Sequence, residues 1–275
     1  MEHLFSVWKE VQPQLEAAGH TLLLSDYDGT LTPIVERPEL ANLSLGTREL
    51  LQMLARQSCF TIGVISGRAL GDLQQRVGIR DITYAGNHGL EVEGPEMSFV
   101  NPIAKELKPV FRLLHRALNK ALGKVSGVLV ENKGLSLSVH YRMVADDERD
   151  EVKTIFEQAI DIARSLGKVR ITSGKRVYEV RPAVAWDKGK AIALLLKRQE
   201  KPKRKTTVLP IFLGDDLTDE DGFRVINQYG GISIFVGEYS ANTAARYFLV
   251  SPAEVEEFLG RLLEHASRVR QGDET

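Results

Sequence analysis

Apolar and polar positions follow two rhythms along this chain. Leu4, Val7, Trp8, Val11 and Leu15 recur at helical spacing, and Gly19 follows as a stop. Leu22, Leu23 and Leu24 form an apolar run that reads as a buried strand, and Pro33 and Pro38 mark an irregular loop after it. Residues 47–57 place Leu50, Leu51 and Leu54 on one helical face. Residues 60–65 are a second apolar run, and 69–77 a short helix. Residues 82–85 read as a third strand, ending in Gly86-Asn87-His88-Gly89, and 91–100 as a hairpin turning at Gly94-Pro95. Alternating strand and helix predicts a parallel, doubly wound sheet.

The rhythm changes near Asn101-Pro102. Residues 104–123 form a long amphipathic pattern through Leu107, Phe111, Leu114 and Leu118. Strands are expected over 127–132 and 135–141, about a Lys133-Gly134 turn. A second long helix follows over 146–166, with the acidic first turn that the helix dipole favours. Residues 169–172 and 176–180 make another hairpin around Ser173-Gly174, and Pro182 closes the segment. Helix, two strands, helix, two strands is a small inserted α+β unit. The first rhythm resumes at Lys188: helix 189–198, loop 197–205, strand 208–213, helix 220–229, strand 232–236, a short strand at 247–250 and a helix over 252–269. The expected fold is α/β, a doubly wound parallel-sheet (Rossmann-like) core in two parts, 1–102 and 183–275, with an α+β domain inserted over 103–182.

Composition narrows the picture only a little. Over 275 residues, 43% hydrophobic and 27% charged is an ordinary globular balance. A net charge of -1 gives no overall field directed at nucleic acid or a membrane surface. Lys201, Lys203, Arg204 and Lys205 make a basic stretch without interleaved aromatics, which suits a solvated loop better than a nucleic-acid site. Cys59 is the only cysteine, so an intrachain disulfide framework is excluded and a reducing compartment fits. There is no signal-peptide pattern and no apolar run near the roughly 20 residues that span a bilayer, so a cytoplasmic location is expected.

The chemistry is concentrated where strands end. Asp26 and Asp28 follow the Leu22–Leu24 run with one residue between them, so on an extended chain they share a face. Two like charges there are explained by a cation and a phosphate, although the pair also suits a polar turn. Asp26 reads as a nucleophile and Asp28 as a general acid and base around a divalent metal. Ser66 ends the second strand, and Asp215 and Asp216 end the strand at 208–213. In an open parallel sheet such ends line one edge, where ligands bind. Phosphoryl transfer also needs a donor to the phosphoryl oxygens, for which Ser66 is the candidate, and a cation, for which Lys188 is the candidate. Asp26, Asp28, Asp215 and Asp219 are the candidate magnesium ligands, oxygen donors as that ion prefers. Singly, Ser66 also suits a helix N-cap, Lys188 a surface lysine and 214–221 an acidic helix-capping loop.

Taken together, Asp-Tyr-Asp-Gly-Thr at 26–30, Ser-Gly-Arg at 66–68, Lys188-Gly189 and Gly-Asp-Asp-Leu-Thr-Asp-Glu-Asp at 214–221 resemble, in order, the four motifs of the haloacid dehalogenase-like superfamily. The insert falls where that superfamily places its larger cap domain. Further strings, at 85–91 (AGNHGLE), 131–142 (ENKGLSLSVHYR), 174–182 (GKRVYEVRP) and 187–191 (DKGKA), are similar to the trehalose-6-phosphate phosphatases over nearly the whole chain. That resemblance implies hydrolysis of trehalose 6-phosphate with Mg2+ through an aspartyl phosphate. It implies that Glu131, Lys133 and Glu179 bind the distal glucose. It also implies that Arg68, Asn87 and His88 lie near the mouth between cap and core, with Arg142 and Lys175 as further substrate ligands. His88 also suits a hydrogen-bonding role without substrate contact, and the cap residues also suit the wet face of a hairpin. No fused glycosyltransferase is present in the sequence, so a separate trehalose-6-phosphate synthase is the expected source of substrate. The rival expectations are a phosphatase for mannosyl-3-phosphoglycerate or sucrose 6-phosphate, a phosphosugar mutase, and a non-catalytic sugar-phosphate sensor.

Overall fold

The computed structural model describes residues 1–35, 37–95, 97–174, 176–199, 207–239 and 242–273. The chain forms two units, one of Met1–Ser98 with Trp186–Thr275, the other Phe99–Ala185. The first begins with β1 (Glu2–His3), α1 (Trp8–Ala17), β2 (His20–Ser25), α2 (Leu45–Ala55), β3 (Phe60–Ile65), α3 (Leu70–Val77), β4 (Thr83–Gly86), β5 (Glu91–Gly94) and β6 (Met97–Val100). The second unit contains α4 (Pro102–Glu106), α5 (Lys108–Leu122), β7 (Leu129–Asn132), β8 (Leu137–His140), α6 (Arg149–Ser165), β9 (Val169–Gly174) and β10 (Val177–Pro182). The chain then returns to the first unit with α7 (Lys188–Gln199), β11 (Val208–Gly214), α8 (Glu220–Gln228), β12 (Ile232–Val236), β13 (Tyr247–Leu249) and α9 (Pro252–Asp273).

The first unit is built on one sheet in the order β1-β13-β12-β11-β2-β3-β4-β5-β6. The ladders from β1 to β4 are parallel, and β5 joins antiparallel. Parallel sheets are covered on both faces, and β2 shows the consequence: all six of its residues are buried. Leu24 stands beside Phe212 on one neighbour and Gly63 on the other. Leu23, Ile62, Val64, Ile211 and Leu213 pack with Leu51, Leu54, Phe258 and Leu262 in a single core. That core holds the carboxyl ends of β2, β3 and β11 side by side. Among the described residues no helix is long and apolar enough to cross a membrane.

The second unit has an antiparallel sheet in the order β7-β8-β10-β9. Phe111, Leu114 and Leu118 of α5 and Phe156 and Ile160 of α6 pack with Leu137, Val139 and Val180. Tyr178 stacks on Tyr141 and on Phe156, both with centroids 4.6 Å away. The pleat turns Glu131, Ser138 and Glu179 to the opposite face, where they stand in cross-strand register.

Several details depart from the sequence expectations, among them the turn expected at Ser173-Gly174, two residues that instead pair in β9 with Tyr178 and Val177. The helix expected over 104–123 is interrupted at Leu107, two residues before Pro109, whose ring and missing N–H disfavour an unbroken helix. The amino terminus is not helical up to Leu4: Glu2 and His3 pair with Tyr247 and Phe248 instead. Gln199, expected only in the loop, continues α7, while Lys201, Lys203, Arg204 and Lys205 lie outside the described residues.

Candidate active site

The site begins where β2 runs out. Asp26 continues the ladder, its N–H donating to the Leu213 carbonyl at 2.8 Å, and its side chain is buried. The chain then turns at Gly29, with φ +86°, a conformation that glycine adopts without penalty. A Cβ at Gly29 would run into the Asp215 carboxylate, so the turn needs glycine both for its backbone angle and for space. β11 ends in Gly214, and Asp216 caps the short turn that leads into α8. Asp219 sits in that turn, fully buried, and its Oδ2 accepts the Asp215 and Asp216 N–H groups at 3.1 and 3.2 Å.

Lys188, the first residue of α7, reaches into this group. Its Nζ donates to Asp26 Oδ1 at 2.6 Å and to Asp219 Oδ1 at 2.7 Å, with only 3% of the side chain exposed. Burial alone would lower the Lys188 pKa, but Asp219 and Asp26 outweigh it, raise it and keep the ammonium charged. The carboxylates respond to burial and to one another. Burial pushes Asp26 well up against the pull of Lys188. Burial and the charge of Asp219 push Asp215 up to about 7, and burial pushes Asp219 up to about 6 despite Lys188. Asp216 lies exposed at the surface; against the desolvation by its neighbours, Lys188 and the hydrogen bonds from Thr218 hold it below the usual carboxylate range. One ammonium among so many acids leaves an excess of negative charge.

A divalent cation fits that excess. One carboxylate oxygen each from Asp26, Asp215 and Asp219 lies within 4.8 Å of the others, a hard-oxygen donor set that suits such an ion. Asp28 does not join this set, contrary to expectation. Its two oxygens accept Arg68 Nη2 at 2.6 Å and Nε at 2.7 Å. A guanidinium one bond away in a matching fork is a stronger competitor for this carboxylate than the more distant acids.

Ser66 directly follows β3 and is buried, and its Oγ accepts the Arg68 N–H at 3.2 Å. The Ser66–Arg68 turn is tied to the 86–89 turn by backbone bonds, Asn87 N–H to the Arg68 carbonyl at 2.7 Å and His88 N–H to the Ser66 carbonyl at 2.8 Å. Asn87 and His88 have φ of +51° and +56°, a conformation that side chains other than glycine adopt only when their surroundings enforce it. Gly67 leaves room for the His88 ring, since a Cβ there would come within 2.7 Å of it.

The expected substrate ligands separate into two sets. In the first unit, Arg68 is committed to Asp28, Asp72 and the Pro38 carbonyl. Asn87 is fully buried and donates to Glu91 at 2.8 Å, and His88 is buried against Gly67. All three thus have partners within the first unit. In the second unit, the structure brings Glu131, Lys133 and Glu179 together: Lys133 Nζ is 3.4 Å from Glu179 and 4.0 Å from Glu131. Arg142 lies in the turn after β8, and Lys175 is outside the described residues. The sequence marks His140 only as one of the polar groups ending a strand of the insert, and its Nε2 hydrogen-bonds Glu131 Oε2 at 3.0 Å; Asp72, paired with Arg68, was not singled out. Alternation along β8 was a signal for the first, and the four-residue spacing from Arg68 along α3 for the second.

Comparison with known proteins places these features in context. Residues 24–253 match the family model described as trehalose-phosphatase. The chain is 37% identical over 278 residues to a trehalose 6-phosphate phosphatase of Zea mays, covering 95% of this chain and 75% of that protein. It is 41% identical over 241 residues to the trehalose-phosphate phosphatase of Mycobacterium bovis, covering 86% of this chain and 60% of that protein. A solved structure, the C-terminal domain of C. albicans trehalose-6-phosphate phosphatase, superposes with a TM-score of 0.75 at 27% identity, covering 93% of this chain and 96% of that one.

Proposed function

This chain belongs to the trehalose-phosphatase family, and from that premise we propose that it hydrolyses trehalose 6-phosphate to trehalose and phosphate through a phosphoryl group carried on Asp26. The observation that carries the reading is the buried Asp26 carboxylate held by Lys188 within a cluster of acids. Asp26 attacks phosphorus, the bond from phosphorus to the sugar O6 breaks, and Asp28 delivers its proton to that oxygen. Water then attacks the aspartyl phosphate, Asp28 takes the proton of that water, and phosphate leaves. Ser66 donates to a phosphoryl oxygen, and Lys188 offsets charge on Asp26 and the phosphoryl group. A divalent cation, magnesium in this reading, is held by Asp26, Asp215 and Asp219 and supplies charge neutralisation when bound.

Sugar recognition is assigned to the polar sheet face of the second unit. Glu131 and Glu179 accept from hydroxyls and Lys133 donates to them, a paired set suited to a glucose ring. The reading includes a cytoplasmic location and a separate synthase as the source of substrate. The test is phosphate release with magnesium across a panel of phosphorylated mono- and disaccharides. A strong preference for trehalose 6-phosphate, lost with a chelator, supports it. Even activity over monosaccharide phosphates removes the substrate assignment, and retention of the phosphoryl group without free phosphate points to a mutase.

A further inference from the structure

The first unit contains a chain of charges that phosphoryl transfer has not used. Arg68 grips both oxygens of Asp28 through Nε and Nη2, while its Nη1 donates to Asp72 Oδ2 at 2.9 Å and its Nη2 also to the Pro38 carbonyl at 2.8 Å. These contacts engage four of the five N–H donors of a guanidinium. The Tyr27 ring lies 5.3 Å below it, and Tyr27 is itself fixed by a bond from its hydroxyl to the Ala41 carbonyl at 3.0 Å. Asp72 is held in turn by Arg76, whose Nε donates to both its oxygens at 2.9 and 3.0 Å. Arg76 Nη1 then reaches the Glu39 and Ala41 carbonyls at 3.1 and 3.3 Å.

We infer that Asp72 is a positioning residue for the proton-transferring carboxyl of Asp28, acting through the Arg68 guanidinium that the two share. This rests on the role of Asp28 given under Proposed function. Asp28 is 43% exposed in its side chain, whereas Arg68 is 9% exposed, so the acid faces solvent and the guanidinium is the enclosed partner. A planar fork holds its partner in one orientation only if its own plane is fixed. Asp72 fixes it from the side opposite Asp28. One turn of α3 joins the two: Arg68 precedes the helix by two residues, and Asp72 and Arg76 are spaced by four along it. Helix α3 thus sets the angle at which Asp28 presents its oxygens.

The consequence is specific to the step in which a proton moves. A sugar alkoxide leaves poorly and needs that proton, whereas a nitrophenolate leaves without it. In Asp72→Asn, single-turnover phosphoryl transfer from trehalose 6-phosphate should slow by about 10-fold or more, the scale on which small misplacements act. Transfer from 4-nitrophenyl phosphate should change by less than about twofold. Asp72→Glu, which keeps the charge, should recover part of the loss. Asp28→Asn in the same assay is the reference. If it shows the leaving-group dependence and Asp72→Asn does not, the inference fails alone. If Asp28→Asn slows both substrates equally, the role of Asp28 fails and the inference falls with it. Equal losses on both substrates in Asp72→Asn, or a loss unmoved by Asp72→Glu, show a structural part only and overturn the inference. Should Asp72→Asn fold poorly, Arg76→Gln loosens the same carboxylate and is read by the same ratio.

Discussion

Lys188 Nζ stands 2.6 Å from Asp26 Oδ1, although the two residues are 162 positions apart in the chain. The contact is possible because α7 starts beside the carboxyl end of β2, and both side chains are buried there. Removing one partner of a buried ion pair leaves the other charge uncompensated, at a cost of about 3–5 kcal/mol. Lys188→Ala should therefore abolish turnover and lower stability on that scale in chelator. Added magnesium should return part of the stability, since it supplies positive charge to the same acids. Urea denaturation with and without magnesium checks this; a variant as stable as the parent in chelator would show that the acids do not depend on Lys188.

The acids themselves set a pH dependence. Asp215 is pushed up to about 7 and Asp219 up to about 6, against an unfolded carboxylate near 3.8. Between those values the folded chain binds more protons than the unfolded one, so stability falls as pH rises. The contribution is fully present below about 4 and lost as pH passes through about 7. A cation that displaces those protons reverses the trend and binds more tightly as pH rises. Thermal unfolding from pH 5 to 8 should show the metal-free protein weakening toward pH 8, as burial of these acids requires. Magnesium should then raise the midpoint more at pH 8 than at pH 5. A magnesium effect that is independent of pH would contradict this account of the cluster.

In the second unit, Glu131 and Glu179 flank Ser138 in register across three strands, and Glu131 Oε2 is met by His140 Nε2 at 3.0 Å and by Lys133 Nζ at 4.0 Å. A carboxylate fixed in this way can accept hydroxyl donors without further ordering. Glu131→Ala should lower kcat/KM for trehalose 6-phosphate by roughly 10–100-fold, the loss of one charged hydrogen bond or two. An aryl phosphate, which lacks the sugar, should be affected far less. Equal losses on both would say that Glu131 does not select the sugar.

Much of the core was legible because its signals are local. Leu22, Leu23 and Leu24 mark a strand buried on both faces, and Asp26 and Gly29 mark its end, so the parallel α/β architecture follows from short windows. The pairing of Glu2 and His3 with Tyr247 and Phe248 was not legible, because two residues carry no periodicity and their partner lies at the far end of the chain. Pro109 was visible, yet the strong apolar spacing from Leu107 to Leu118 masked the break that it causes. Within the site, residue types indicated which groups take part but not which partners they choose. Arg68 has a carboxylate 40 positions earlier and another four positions later, and only the folded chain shows that it binds both. Likewise nothing local announces that Asn87 and His88 are two left-handed residues tied by their N–H groups to the Arg68 and Ser66 carbonyls.

Phosphate release from trehalose 6-phosphate by the parent chain and by Asp26→Asn decides whether Asp26 carries the phosphoryl group. The parent should release phosphate with magnesium and stop when the metal is chelated. Asp26→Asn should release none while unfolding as cooperatively as the parent, since asparagine is nearly isosteric and removes a carboxylate that burial already penalises. Turnover by a folded Asp26→Asn variant near that of the parent would contradict the account.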